Sequence, residues 1–206
     1  MKNGHFDGCT GCSCICEERR YWLVLGISLG IAALELVGGY ISGSLALASD
    51  GGHVLVDALA AAVAITVARS VRMRKGSEAA LRRRGGYMSS VLLAAVAATI
   101  TWGAIPRLFS PPQITGYVMV AVATLGGLGN YVQHRILREA HENHVTHQGI
   151  HWHVLSDLWQ SVAVVAGAVA ILLTGCQLID PVLSLIIAGI ILHWAWVMYK
   201  HSSQLR

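Results

Sequence analysis

The pentapeptide His53-Val-Leu-Val-Asp57 returns 100 residues later as His153-Val-Leu-Ser-Asp157. Positions four apart in a helix share one face, a turn apart. Each copy therefore offers one imidazole and one carboxylate to the same neighbour. Two such helices packed face to face would supply two nitrogens and two oxygens, a donor set suited to tetrahedral Zn²⁺. Imidazole with carboxylate also accepts other borderline divalent ions, so Cd²⁺ and Co²⁺ stay open beside Zn²⁺. A single His-x-x-x-Asp is commonplace, and pairs of structural hydrogen bonds are the alternative use of these groups. Two matched copies in apolar helices would be expensive to bury without a cation to share.

Other residues of metal-ligand type lie around this pair. Cys9, Cys12, Cys14 and Cys16 place four thiols within eight residues, with His5 and Asp7 just before them. The segment is too short for a zinc-finger fold, so a flexible collector of soft metal is expected in a reducing compartment. His141, His144, His147 and His151 form a His-rich tract that runs straight into the second pentapeptide, a compositional metal-binding signal. Its bland alternative is a solvated loop. Glu35, Asp50 and Asp180 are further acids inside or at the edge of apolar stretches, where carboxylates commonly mark an ion path. Asp180, next to Pro181, equally suits a helix end. Cys176 is a lone thiol with no assigned role.

The elements that must hold these groups are membrane helices. Hydrophobic residues make up 54% of the 206 and charged residues 13%, against roughly 25% charged in a soluble domain. The mean hydropathy is +0.56. Charge this sparse cannot cover a globular surface, and the same composition excludes disordered, collagen-like and disulfide-scaffold classes. A bilayer span needs about 20 predominantly apolar residues. Tyr21–Ile41, Gly43–Ala68, Gly85–Pro106, Leu108–Gln133, Leu158–Ile179 (starting nearer Ile150) and Pro181–Tyr199 qualify, which predicts an all-α, six-helix membrane protein.

Orientation follows from the basic residues, which gather on the cytoplasmic side of short-loop membrane proteins. Residues 69–84 (RSVRMRKGSEAALRRR) carry seven of the 15 Lys and Arg, and only Arg107 falls on the opposite side. Both termini are therefore expected in the cytoplasm. The basic loop is read as a topology signal that meets anionic headgroups, not as a nucleic-acid surface. No secretory signal is expected, because a Cys- and Glu-bearing segment precedes the first apolar run. The expected organisation is a Cys-rich tail over 1–19, a transport domain over 20–201 and a short tail over 202–206.

The stretches GSLALASDGGHVLVDALA, HVLSDLWQSVAVVAGAVAI and IDPVLSLIIAGIIL resemble the membrane domain of the cation diffusion facilitator family, across about Tyr21 to Tyr199. The resemblance implies a metal/proton antiporter in a plasma membrane, the bacterial inner membrane, with His53, Asp57, His153 and Asp157 binding the transported ion. Two His with two Asp is similar to the zinc-preferring version. Asp50 and Asp180 fall at recurrent acidic positions of the family pattern. Members usually continue into a cytoplasmic metal-binding domain that helps hold a homodimer, and the expectation here is the membrane domain without it. The expected partners are lipid, divalent metal ions, protons and a second copy of the chain in a homodimer, with no nucleic acid and no organic cofactor. Two other classes use the same residues: an intramembrane metalloenzyme, which would keep a coordination position open for water, and a membrane metal sensor, which would bind without flux. No phosphate-binding Gly-Lys-Ser/Thr loop is present to couple ATP.

Overall fold

In lipid the backbone must satisfy its own hydrogen bonds, so long apolar runs of Ala, Leu and Val resolve as helices. The computed structural model contains α1 (Gly11–Ser42), α2 (Leu45–Arg72), α3 (Glu78–Phe109), α4 (Gly116–Arg138), α5 (Val145–Thr174) and α6 (Ile179–Gln204). It describes the backbone of residues 11–72, 78–138 and 145–204, and the side chains of residues 22–59, 83–136 and 157–204. No strand occurs among the described residues. Trp22–Ser42, Arg83–Phe109, Asp157–Thr174 and Ile179–Gln204 are each long and apolar enough to cross a membrane. α2 and α4 complete the six-helix bundle with polar groups turned inward: Asp50 and His53 on α2, Asn130 and Gln133 on α4, all buried.

The helix ends depart from the sequence expectation in instructive places. α1 extends back to Gly11, so Cys12, Cys14 and Cys16 lie on helical backbone, not on a flexible collector; Cys9 lies outside the described residues. Glu17, Glu18, Arg19 and Arg20 are good helix formers and carry the helix out of the span. α3 runs through Pro106 to Phe109, because a proline near the end of a helix breaks few bonds. Pro111 and Pro112 then delay α4 until Gly116. α5 stops at Thr174, where Gly175 takes φ 68° and donates to the Ile171 carbonyl at 2.8 Å, a left-handed cap that glycine adopts without strain.

Three antiparallel pairs build the bundle. α1 packs on α2, α4 on α5 and α3 on α6, while α1 also meets α4, and α2 reaches α3, α5 and α6. The α1–α2 contact is close because it is made by small residues. A Cβ on Gly51 would sit 3.0 Å from the Ala32 carbonyl oxygen. Leu47, Met119, Val164 and Ile191 fill the centre of the core from four different helices. Large apolar side chains such as Trp102, Phe109, Trp159 and Leu173 face outward, as a surface solvated by lipid requires.

Candidate metal centre

Where α2 begins decides where His53 and Asp57 sit. α1 ends at Ser42, Gly43 follows with φ 76°, and α2 starts at Leu45. Its amino terminus is capped by a residue far away in sequence. Asp180, in the first turn of α6 and fully buried, accepts hydrogen bonds from Ser44 Oγ (2.5 Å), Leu45 N (2.8 Å) and Ala46 N (3.1 Å). A carboxylate at a helix amino terminus satisfies orphan N–H groups and opposes the positive end of the dipole. Arg107 closes the clasp. Its Nη1 lies 3.8 Å from Asp180 Oδ2 and donates to the Gly43 carbonyl at 2.7 Å. The one basic residue on the far side of the sequence pattern thus binds the helix ends together.

From this fixed start, α2 carries His53 and Asp57 inward to meet Asp157 of α5. His53 Nε2 lies 3.3 Å from Asp57 Oδ2 and 3.7 Å from Asp157 Oδ1. One ligand atom from each of the three can be chosen so that all lie within 4.8 Å of one another. His53 is 3% exposed and Asp157 6%, whereas the Asp57 side chain keeps 18% of its surface open. Among the described residues no Lys or Arg pairs with this cluster, whose two carboxylates face the His53 imidazole. Such a site attracts a cation and offers an anion nothing.

A second polar layer lies one turn along both helices. Gln160 donates Nε2–H to Asp50 Oδ1 at 2.7 Å, and Ser161 Oγ approaches Asp50 Oδ2 at 3.5 Å. Asn130 of α4 donates to Ser161 Oγ at 2.9 Å. Asp50 is therefore held by donors from α5, and α4 is tied into the same chain. Sequence reasoning passed over Gln160, Ser161 and Asn130. The available signal was spacing, since Asp157, Gln160 and Ser161 stand at i, i+3 and i+4 on one helical face.

Residues 21–205 match the model of the cation efflux transmembrane domain. The chain belongs to the cation efflux family. It is an integral membrane protein. The chain is 34% identical over 196 residues to the zinc transporter ZitB of Pectobacterium atrosepticum, covering 90% of this chain and 60% of that protein. It is 33% identical over 194 residues to the metal cation efflux system protein CzcD of Cupriavidus metallidurans, again covering 90% and 60%. A cadmium, cobalt and zinc/H⁺–K⁺ antiporter of Bacillus subtilis is 29% identical over 184 residues, covering 84% of this chain and 58% of that protein. The chain spans about three-fifths of the length of these curated relatives.

The remaining members of the expected site fall in three places in this cation efflux domain. His153 lies on α5 one turn before Asp157, on the helix that brings Asp157 to His53; its side chain is outside the described residues. His147 and His151 also fall on the first turns of α5, with their side chains likewise outside the described residues, as are His141 and His144 entirely. Asp50 lies beside the cluster in the second layer, whereas Asp180 is engaged at the opposite clasp with Ser44 and Arg107.

Proposed function

We propose that the chain exports a divalent metal cation, Zn²⁺ by its donor chemistry, across a bacterial plasma membrane in exchange for protons. The observation that carries this reading is the convergence of His53 Nε2 with Asp57 and Asp157 in a buried, cation-seeking cluster. His153 is the fourth ligand, giving two nitrogens and two oxygens. Relatives named for zinc, for metal cation efflux and for cadmium, cobalt and zinc/H⁺–K⁺ antiport support the same class of cargo.

The coupling follows from the ligands. A metal ion bound by imidazole nitrogen and carboxylate oxygen takes the lone pairs that a proton would otherwise occupy. Metal ligands bind deprotonated, so loading expels protons and reprotonation expels metal. A proton gradient then drives the ion outward if the cluster opens to one side at a time. Exchange without chemistry is favoured over a metalloenzyme because four ligands leave no position for a reactive water. The Cys and His tracts at the starts of α1 and α5 would deliver metal from the cytoplasm. A homodimer with the same clusters in each copy is compatible with this scheme.

Zn²⁺ flux in proteoliposomes with an imposed pH gradient tests the reading. Uptake should require an opposed proton gradient and collapse when a protonophore dissipates it. Zn²⁺ binding without any flux would replace the transporter by a sensor. Orientation is tested by Cys176, which is exposed at the α5–α6 link. A membrane-impermeant maleimide should label it from outside intact cells.

A further inference from the structure

Among the described residues, the buried carboxylates around the bundle axis have a donor or an ion partner, with the exception of Glu35. Asp50 has Gln160 and Ser161, Asp180 has Ser44 and two backbone amides, and Asp57 and Asp157 share His53. Glu35 on α1 is fully buried, and neither of its carboxyl oxygens has a hydrogen-bond partner. The space it occupies is made for it. A Cβ on Gly126 of α4 would run into Glu35 Oε1, and one on Gly51 of α2 would lie 2.9 Å from Glu35 Cβ. The carboxyl group thus stands between α1, α2 and α4, and Gly51, against which its Cβ packs, adjoins Asp50 and precedes His53 by two residues.

A carboxylate in a dry, low-dielectric interior needs a positive partner. A metal ion would need several converging donors, and these oxygens have no hydrogen-bond partner among the described residues. A proton needs none. Near Gly51 the titratable groups of α2 are Asp50, His53 and Asp57, with Asp157 of α5 against His53; those of α4 nearest Gly126 are Tyr131, His134 and Arg135, one to two and a half turns beyond it. Those nearest are acidic, so an empty cluster repels a negative Glu35 and a cluster holding a divalent ion attracts it.

We propose that Glu35 is a second proton site of the transporter, separate from the metal ligands, occupied while the cluster is empty and vacated when metal loads it. The step breaks the carboxyl O–H bond, leaves its electron pair on Glu35 and passes the proton to water. Reprotonation from the opposite side favours metal release by the same linkage, since coupling between two sites is reciprocal. This inference rests on the proposed metal cluster, but its readout is separate.

The test counts protons released per Zn²⁺ bound by the full chain in detergent, from a dilute pH indicator and from the buffer dependence of the calorimetric enthalpy. Wild type should release about one proton more per ion than Glu35→Gln, with one Zn²⁺ site unchanged in both, and Glu35→Asp should restore the count. An unchanged proton count in Glu35→Gln would overturn the proposal, and so would loss of a bound Zn²⁺, which would make Glu35 a metal ligand. Should the glutamine variant fail to fold, infrared difference spectra of wild type decide. Zn²⁺ binding should remove a protonated carboxyl C=O band, and no such loss overturns the proposal. Persistence of full Zn²⁺ binding in Asp157→Ala would instead sink the metal cluster itself, an outcome the Glu35 proton count does not mimic.

Discussion

Gln160 of α5 donates to Asp50 of α2 at 2.7 Å, one turn from the cluster on each of the two helices that build it. The bond fixes the separation at which His53 and Asp157 face each other. Gln160→Ala would leave the buried Asp50 carboxylate with only the long Ser161 contact. The expected loss is about 1–3 kcal/mol of stability, read as a lower unfolding temperature in detergent. Zn²⁺ affinity should weaken with it, while flux at saturating metal persists. An unfolding temperature equal to wild type would show that the bond contributes nothing.

The clasp at the other end makes a contrasting prediction. Asp180→Ala removes the cap of α2 and the ion partner of Arg107 together. The cap alone should cost about 1–2 kcal/mol, and Asp180→Asn should recover part of it because an amide oxygen still accepts from Ser44. Zn²⁺ stoichiometry should not change in the folded fraction of either variant. Loss of one bound ion per chain would make Asp180 a ligand instead of a cap.

Close approach of α1 and α2 gives a third. Gly51→Ala would place a methyl 2.9 Å from Glu35 Cβ and 3.0 Å from both the Ala32 carbonyl oxygen and Leu36 N. Backbone cannot yield as a flexible side chain does, so the helices must separate, at a cost of about 1–3 kcal/mol. Gly52, whose added Cβ would come no closer than 3.9 Å to Val96, is the control. Gly52→Ala should be nearly neutral in the same thermal assay.

What could be read from the chain and what could not divide along a physical line. The H-V-L-x-D face is a local property of helical geometry, so the spacing of His53 and Asp57 was visible at once. The apolar runs were equally visible, because a bilayer fixes their length. The clasp was not, since Asp180 caps a helix that begins 135 residues earlier, and nothing local announces which helix end an acidic residue will meet. Arg107 is an exception to the charge pattern whose partners, Asp180 and the Gly43 carbonyl, come together only in the folded bundle. Glu35 was legible as a buried acid, but its isolation depends on Gly126 of another helix.

The tracts outside the bundle should matter for delivery and not for passage. Replacing Cys9, Cys12, Cys14 and Cys16 with Ser, or His141, His144, His147 and His151 with Ala, leaves the His53, Asp57 and Asp157 cluster intact. The apparent KM for Zn²⁺ should rise while the maximal flux in vesicles holds. Complete loss of flux in folded, membrane-inserted variants would place the essential site in the tracts.

The strictest prediction concerns the four proposed ligands. Replacing His53, Asp57, His153 or Asp157 with Ala removes one of four groups that must substitute for water around the ion, and three cannot do so equally well. Transport should fall at least tenfold in each, on the order of 1.4 kcal/mol or more of lost differential binding. The Asp57→Ala and Asp157→Ala proteins should still fold, because removing a buried carboxylate also removes its desolvation cost. His53→Asp should act differently from His53→Ala. It keeps a ligand but exchanges nitrogen for oxygen, so selectivity should move from Zn²⁺ toward harder ions such as Mn²⁺. The measurement is proton-driven flux of Zn²⁺ and Mn²⁺ in proteoliposomes, with each variant's fold checked by circular dichroism. Zn²⁺ flux at the wild-type rate in both aspartate variants would mean that the ion crosses this bundle by another route.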